Sequence, residues 1–520
     1  MNVLQSRNHA TKDSLSISLK IDLERLYPMT YAKKAIRGAG ITFIMSMFAV
    51  AVSYLFRIVL ARSLGPEDFG LFYSVFTFVI FFLFFRDLGL SPALVKSISE
   101  FRAQGKNGDI KSAISFVLGF QLISSLVIGS IFFILSDYLA QHYFQNQDAS
   151  LMLKLLVVYI LGSIFFIVLK GTFNGFQKMF LFSSVELAKN SFVLLFALLF
   201  LRLGYGALAP ALAYVAVCAA LFLLYLPFAL RTFSFFTYKI TDFQKISRRV
   251  LFFGIPLFAV SVADKVIGYI DTLLLTYFRS LTEVGIYNVV LPSSLILLYV
   301  GSALSVTLFP LVTELWTKKD ISRLCKGIDL IYRNLYIVVI PAIFTIFAFA
   351  PEFLVSFFGE DYKTGSYALQ ILLVGVLFFT LAIINNSIIS GTGKPRMVAK
   401  ITFLSAFANV IFNIALIPSF GINGAAFATA LSYALSMVLS TIFLKKDLSI
   451  CLPASIWLKQ FFAAIVFIFT IYLTKEFLPL NSWPLFVSSF LLAMIVYLSM
   501  LLWSKALNIK ELKKYTSLLR

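Results

Sequence analysis

The chain has 520 residues, 60% of them hydrophobic and only 13% charged, and carries a formal net charge of +20. Soluble domains run at about 45–50% apolar and about 25% charged, so this composition excludes a water-exposed fold and makes the lipid bilayer the solvent. The Lys and Arg sit in short segments between apolar runs, with no long basic stripe and no interleaved exposed aromatics, which excludes a nucleic-acid partner and ties the charge to membrane orientation.

The first 37 residues are polar and hold seven Lys or Arg. They form an N-terminal cytoplasmic segment, 1–37, in which Leu15–Leu23 alternates apolar and polar residues. The apolar run that begins near Gly38 is too long for a secretory signal and is an uncleaved first span. A span needs about 20 apolar residues to cross about 30 Å of hydrocarbon. On that criterion spans are predicted at 38–61, 69–85, 113–135, 153–169, 181–201, 207–230, 250–278, 284–310, 334–351, 366–390, 398–417, 424–444, 457–474 and 484–503. The fifth carries Glu186, Lys189 and Asn190 at one entry, and the ninth contains Pro341. The fold class expected is an all-α integral membrane protein of about 14 transmembrane helices.

With the N-terminus inside, the outside segments hold only Arg62, Lys154, Arg202, Arg279, Lys363 and Lys475, and almost all other basic residues fall inside. That bias places both termini in the cytoplasm. The loops are all short, which leaves no room for a nucleotide-binding domain. Gly391-Thr-Gly393-Lys394 is followed by Pro395 and is read as a cytoplasmic turn, not a phosphate loop. Cys218, Cys325 and Cys451 lie far apart, and the histidines are His9 and His142 alone. These residues supply no metal-ligand spacing and almost no material for nucleophilic catalysis, so neither enzyme activity nor a cofactor is expected.

The two halves resemble each other at an offset of about 215–219 residues. Arg62-Ser-Leu-Gly-Pro-Glu-Asp-Phe-Gly70 aligns with Arg279-Ser-Leu-Thr-Glu-Val-Gly285. Gly204-Tyr-Gly206-Ala aligns with Gly421-Ile-Asn-Gly424-Ala, and Gly171-Thr-Phe-Asn-Gly175 stands where Gly391-Thr-Gly393 stands. Six spans per repeat leave both copies in one orientation, related by a pseudo-twofold along the membrane normal. The expected organisation is an N-terminal six-helix lobe at 38–230, a C-terminal six-helix lobe at 250–444, two extra helices at 457–503 and a cytoplasmic tail at 504–520. A cavity between lobes that rock against each other gives alternating access.

Charge inside the bilayer is costly and usually faces a cavity or a partner. Arg57 lies in the first span, and Asp264, Lys265 and Asp271 in the seventh, its equivalent in the repeat. Asp264 and Asp271 are seven residues apart and so share a helix face, which Gly268 leaves open. One reading is a substrate site for an anionic headgroup at Arg57, faced by Asp264, Lys265 and Asp271. The other is that Lys265 pairs with an aspartate while Arg57 snorkels outward. Asn409 and Asn413, one turn apart, with Thr429 in the next span, offer either an ion site or interhelical hydrogen bonds.

Four segments carry a family resemblance: Leu60-Ala-Arg-Ser-Leu-Gly-Pro-Glu-Asp-Phe-Gly70, Arg86-Asp-Leu-Gly-Leu-Ser-Pro-Ala-Leu-Val-Lys96, Asp271-Thr-Leu-Leu-Leu through Glu283-Val-Gly-Ile-Tyr287, and Gly421-Ile-Asn-Gly-Ala-Ala. The chain resembles the polysaccharide transporter, or oligosaccharide flippase, family of the multidrug, oligosaccharidyl-lipid and polysaccharide flippase superfamily. The resemblance spans about 40–450. It implies translocation of a lipid-linked oligosaccharide on a polyprenyl phosphate or pyrophosphate across the cytoplasmic membrane, alongside membrane lipids and the polymerase and glycosyltransferases of the same pathway. It also implies a functional cavity arginine at Arg57 and a sodium site at Asp264, Asn409, Asn413 and Thr429. Asn413 stands where sodium-binding relatives carry an aspartate, which leaves Na+, H+ and membrane potential as alternative couplings. The alternatives to a flippase are a cation-coupled multidrug exporter of the same superfamily and a membrane glycosyltransferase or polymerase.

Overall fold

The computed structural model describes residues 29–448, 453–477 and 483–507. The Leu15–Leu23 stretch, His9, Cys451 and most of the expected C-terminal tail lie outside the described residues. Every regular element described is a helix. In chain order they are α1 (Met29–Asp87), α2 (Leu90–Ala103), α3 (Asn107–His142), α4 (Asp148–Gly175), α5 (Met179–Arg202), α6 (Ala209–Thr232), α7 (Phe243–Phe278), α8 (Leu281–Leu295), α9 (Leu298–Thr317), α10 (Ile321–Ala348), α11 (Ala350–Phe358), α12 (Ser366–Gly391), α13 (Pro395–Leu448), α14 (Ala454–Phe477) and α15 (Trp483–Trp503). Among the described residues nine helices are long and apolar enough to cross a bilayer, or ten if the bent α7 is one span. The protein is a multi-pass membrane protein.

Two helices are hairpins. At 59 residues α1 would extend about 88 Å if straight, far beyond the bilayer. Gly65, with φ 72° and ψ 173°, breaks it, and Pro66 starts the second arm. The arms fold together, bringing the Arg57 guanidinium to 4.4 Å from the Tyr73 ring centroid. In α13 the break is Gly421, and Asn409 on one arm reaches Thr429 on the other at 3.4 Å. The Gly421 turn is braced from α8 and its approach. Glu283 accepts from the Ile422 backbone N–H at 3.2 Å and holds Arg279 at 2.9 Å.

Two of the expected spans, the seventh and the eighth, are broken in the structure. The seventh is not one straight helix: Phe243–Phe258 and Ser261–Phe278 meet at 52°, just after Pro256, whose ring cannot continue the hydrogen-bond ladder. The eighth is divided into α8 and α9 between Leu295 and Leu298, shortly after Pro292.

At one end the halves meet backbone to backbone. A Cβ on Gly70 would run into Leu281 O, and a Cβ on Gly285 would run into Pro66 O. These contacts are reciprocal, since Gly70 and Gly285 correspond under the internal repeat, and Pro66 lies four residues before Gly70 as Leu281 lies four before Gly285. That reciprocity is what a twofold-related interface requires. Tyr362 Oη donates to Ala61 O at 3.2 Å, and Arg62 donates to the carbonyls of Phe357, at 2.8 Å, and Ser356. At the other end Gly89 packs on Gly254, Arg249 pairs with Glu100 at 2.6 Å, and Phe84 stacks on Phe258 at 4.9 Å. The first half of α7 therefore packs with the N-terminal helices: Ile246 and Val250 join Leu90, Ile98, Ile110 and Val117 in one buried cluster. Helices α14 and α15 pack on α10 through Phe467, Tyr497, Ile340 and Phe344.

Candidate functional site

Arg57 is half-buried on the first arm of α1 and lines a cavity of about 590 Å³ with Tyr54, Glu186, Asn190 and Ser302. Its position follows from a proline on the facing helix. Pro292 has no N–H, so the carbonyl four residues earlier, Asn288 O, loses its helical donor. Arg57 Nη1 donates to that carbonyl, and the guanidinium lies over Tyr73. Next to it Tyr54 and Ser293 share a hydrogen bond of 2.8 Å. Among the described residues no carboxylate pairs with Arg57. Glu186, in the same cavity, is held by Lys170 at 2.8 Å and by Lys189. Arg57 therefore faces the cavity and does not snorkel outward.

The seventh-span residues expected to oppose Arg57 go to different places. Asp264 is exposed and lines a second cavity, of about 950 Å³, with Gly268 beside it. Lys265 lines neither cavity, makes no ion pair among the described residues, and places its Nζ 5.7 Å from the Tyr269 ring. The expected pairing of Lys265 with an aspartate is thus absent there. Asp271 is 1% exposed and turned into the bundle. Its Oδ1 accepts from Asn413 Nδ2 at 2.6 Å, and its Oδ2 from Tyr287 Oη at 2.6 Å and Thr429 Oγ1 at 2.5 Å.

The ion-site set needs one correction. Asn409, Asn413 and Thr429 do converge, but on Asp271 and not on Asp264. Seven residues along a helix return nearly to the same face, but the translation of about 10 Å carries Asp264 out of the ring that the α13 hairpin closes. The Oδ1 atoms of Asn409 and Asn413 are buried with no hydrogen-bond partner. With the Asp271 carboxylate and Thr429 they are hard-oxygen groups bearing one negative charge, of a kind that offers nothing to a thiophilic metal. Asn413 and Asn409 turn their Nδ2 atoms, not these oxygens, toward Asp271 and Thr429. Among the described residues no three His, Cys, Asp or Glu come together as metal ligands.

The family comparison bears on this geometry. The sequence model described as polysaccharide biosynthesis protein matches residues 35–316, more than half of the chain. The chain belongs to the polysaccharide biosynthesis protein family. A second model, MatE, matches residues 256–415. An uncharacterized membrane protein of Methanocaldococcus jannaschii is 28% identical over 504 residues, covering 94% of this chain and 99% of that protein. The probable low-salt glycan biosynthesis flippase Agl15 of Haloferax volcanii is 31% identical over 194 residues, 36% of this chain and 41% of that one. Among solved structures, lipid II flippase MurJ in an inward closed conformation superimposes with a TM-score of 0.71 at 16% identity, over 92% of this chain and 99% of that one. This last likeness establishes the shared fold. In this member of the polysaccharide biosynthesis protein family the halves touch at Gly70–Gly285 and at Gly89–Gly254.

Sequence reasoning missed three features. Tyr287 was visible only as part of a motif, because nothing in its spacing from Asp271 signals contact. Arg86 falls just past the predicted end of the second span, yet α1 runs on to Asp87. It is 2% exposed and donates to Ile160 O at 2.8 Å and Ser163 Oγ at 3.0 Å. The division of the eighth span at Leu295–Leu298 was signalled by Pro292 alone. The Gly391–Lys394 segment is a turn between α12 and α13, with Lys394 paired to Asp447. Asn385 bonds Tyr332, Ser440 and Thr441 at 2.6, 3.0 and 2.9 Å and ties helices together.

Proposed function

We propose that this protein is a flippase that moves a lipid-linked oligosaccharide, on a polyprenyl phosphate or pyrophosphate, across the cytoplasmic membrane by alternating access. The observation that carries the reading is Arg57. It is a guanidinium at the edge of a cavity within the helical bundle, held by a spare carbonyl and an aromatic ring and, among the described residues, by no carboxylate. A phosphate makes charge-assisted, bidentate bonds that neither partner supplies. The polar cavity takes the headgroup, while the prenyl chain remains in lipid. The family membership and a relative named a probable flippase support the same substrate class.

Both termini face the cytoplasm in this reading, so the Gly70–Gly285 contact closes the outer end. Coupling runs through Asp271. A cation held by its carboxylate with Asn409, Asn413 and Thr429 would bind α7 to both arms of α13 and bias the lobes toward one state. The chain itself carries out no bond chemistry and acts as a transporter.

Reconstituting the full chain in vesicles with a fluorescent polyprenyl-phosphate-linked sugar in one leaflet tests the reading. Protein-dependent exposure of the label in the other leaflet is expected, lost in Arg57→Ala. Folded protein that leaves the label where it started would refute it. A cation-coupled multidrug exporter is the second reading, favoured by the MatE match at 256–415. Efflux of cationic dyes by the same vesicles, with no movement of the lipid-linked sugar, would select it.

A further inference from the structure

The second cavity lies across the α8–α9 break from Arg57. It is about 950 Å³ and meets the Arg57 cavity at Leu295 and Leu298, which line both. Its walls come from α7, α9, α12 and the α13 hairpin. Helical Ser and Thr ordinarily return their hydroxyl to a carbonyl one turn back, as Ser432 does to Ala428 O and Thr380 to Val376 O, both at 2.7 Å. Five residues lining this cavity do not. Ser305, Ser390, Thr402, Ser405 and Ser436 make no side-chain hydrogen bond among the described residues. Ser405 is 2% exposed, and its Oγ is enclosed without a partner, as is Asn386 Oδ1 in the same lining.

Unpaired hydroxyls and amides inside a bilayer protein are costly unless something polar meets them. The lining also contains an aromatic wall, Phe379 against Tyr433, with centroids 4.1 Å apart and planes at 13°. Among the described residues its only charged group is the Asp264 carboxylate. Hydroxyls that both donate and accept, an aromatic face and one acceptor carboxylate match a sugar, whose ring offers hydroxyls at its edge and C–H groups on its face. An anion would meet a carboxylate and, among the described residues, no cation here, and a prenyl chain would leave these five hydroxyls unpaired.

We propose that this cavity is the glycan-reading site. It binds uncharged sugar units of the lipid-linked substrate, while the phosphate stays at Arg57 on the other side of the α8–α9 break. The inference rests on the flippase reading and adds where the sugar sits and what class of sugar is read. The two cavities adjoin at the α8–α9 break, where Leu295 and Leu298 line both.

The test uses the full chain in lipid nanodiscs and two probes, polyprenyl phosphate and polyprenyl phosphate bearing a neutral dihexose. Wild type is expected to bind the glycosylated probe at least about fivefold more tightly, as one or two net hydrogen bonds give. Ser405→Val and Ser436→Ala should bring that ratio toward one. Ser390→Cys, at a partly exposed position, should be protected from a water-soluble maleimide by the glycosylated probe and not by the bare one. An unchanged ratio in both variants, with equal protection by both probes, would mean the hydroxyls meet only water, and would overturn the glycan site. In that case Arg57→Ala would still weaken both probes if the flippase reading holds. Failure of folded wild type to bind either probe would overturn both.

Discussion

Arg57 and Asp271 occupy corresponding helices of the two repeats and meet the cost of intramembrane charge in opposite ways. Arg57 leans on one backbone carbonyl that Pro292 has set free and on the face of Tyr73, beside a cavity. Asp271 is enclosed by three donors from two helices, beside two amide oxygens with no partner. A ligand can compete for the first charge without dismantling the fold. The second cannot be removed without stranding its neighbours. The repeat thus leaves one charge beside a cavity and encloses the other among its neighbours.

The largest contrast lies in stability. Asp271→Leu should strand Asn413, Tyr287 and Thr429 and lower stability by about 3 kcal/mol or more, since each buried donor left unpaired costs about 1–3 kcal/mol. Arg57→Leu strands only Asn288 O and should cost about 1 kcal/mol. Thermal unfolding in detergent compares them, and equal losses would erase the distinction. Next is the cation. If the Asp271 ring binds Na+, saturating salt at about 100 times Kd should stabilise wild type by about 2.7 kcal/mol relative to a choline control. Asp271→Asn should abolish that increment, and a sodium increment that survives the substitution would remove the ring as its origin. Pro292→Ala should have the smallest effect. It returns an N–H to Asn288 O, frees Arg57, and is expected to tighten polyprenyl phosphate binding about threefold, the weight of one ordinary hydrogen bond. Unchanged or weaker affinity would show that the carbonyl does not compete for Arg57.

Much of the fold was legible because the bilayer imposes a strong pattern. Apolar runs of fixed length fell on helices, and the Gly70 and Gly285 equivalence, read as a repeat, became a reciprocal contact between the halves. The site was only partly legible. Helical periodicity put Asp264 and Asp271 on one face, but the α13 hairpin closes around a single turn of α7, and only the packing of Asn413 and Thr429 selects Asp271. The bend after Pro256 and the break after Pro292 follow from missing donors, yet a proline in a long apolar run shows only where a ladder bond is lost. It does not show whether the helix bends, splits or continues. The five free hydroxyls were hidden for a related reason: serine in an apolar helix usually bonds its own backbone, and sequence does not distinguish those that do not.

The central claim is that Arg57 reads the phosphate of a lipid-linked substrate, and the most direct measurement compares polyprenyl phosphate with the matching polyprenol. Wild type in nanodiscs should bind the phosphate at least about tenfold more tightly, as a charge-assisted bond of about 1.5–3 kcal/mol requires, and Arg57→Ala should bind the two alike. A phosphate preference of the same size in folded Arg57→Ala would contradict the account.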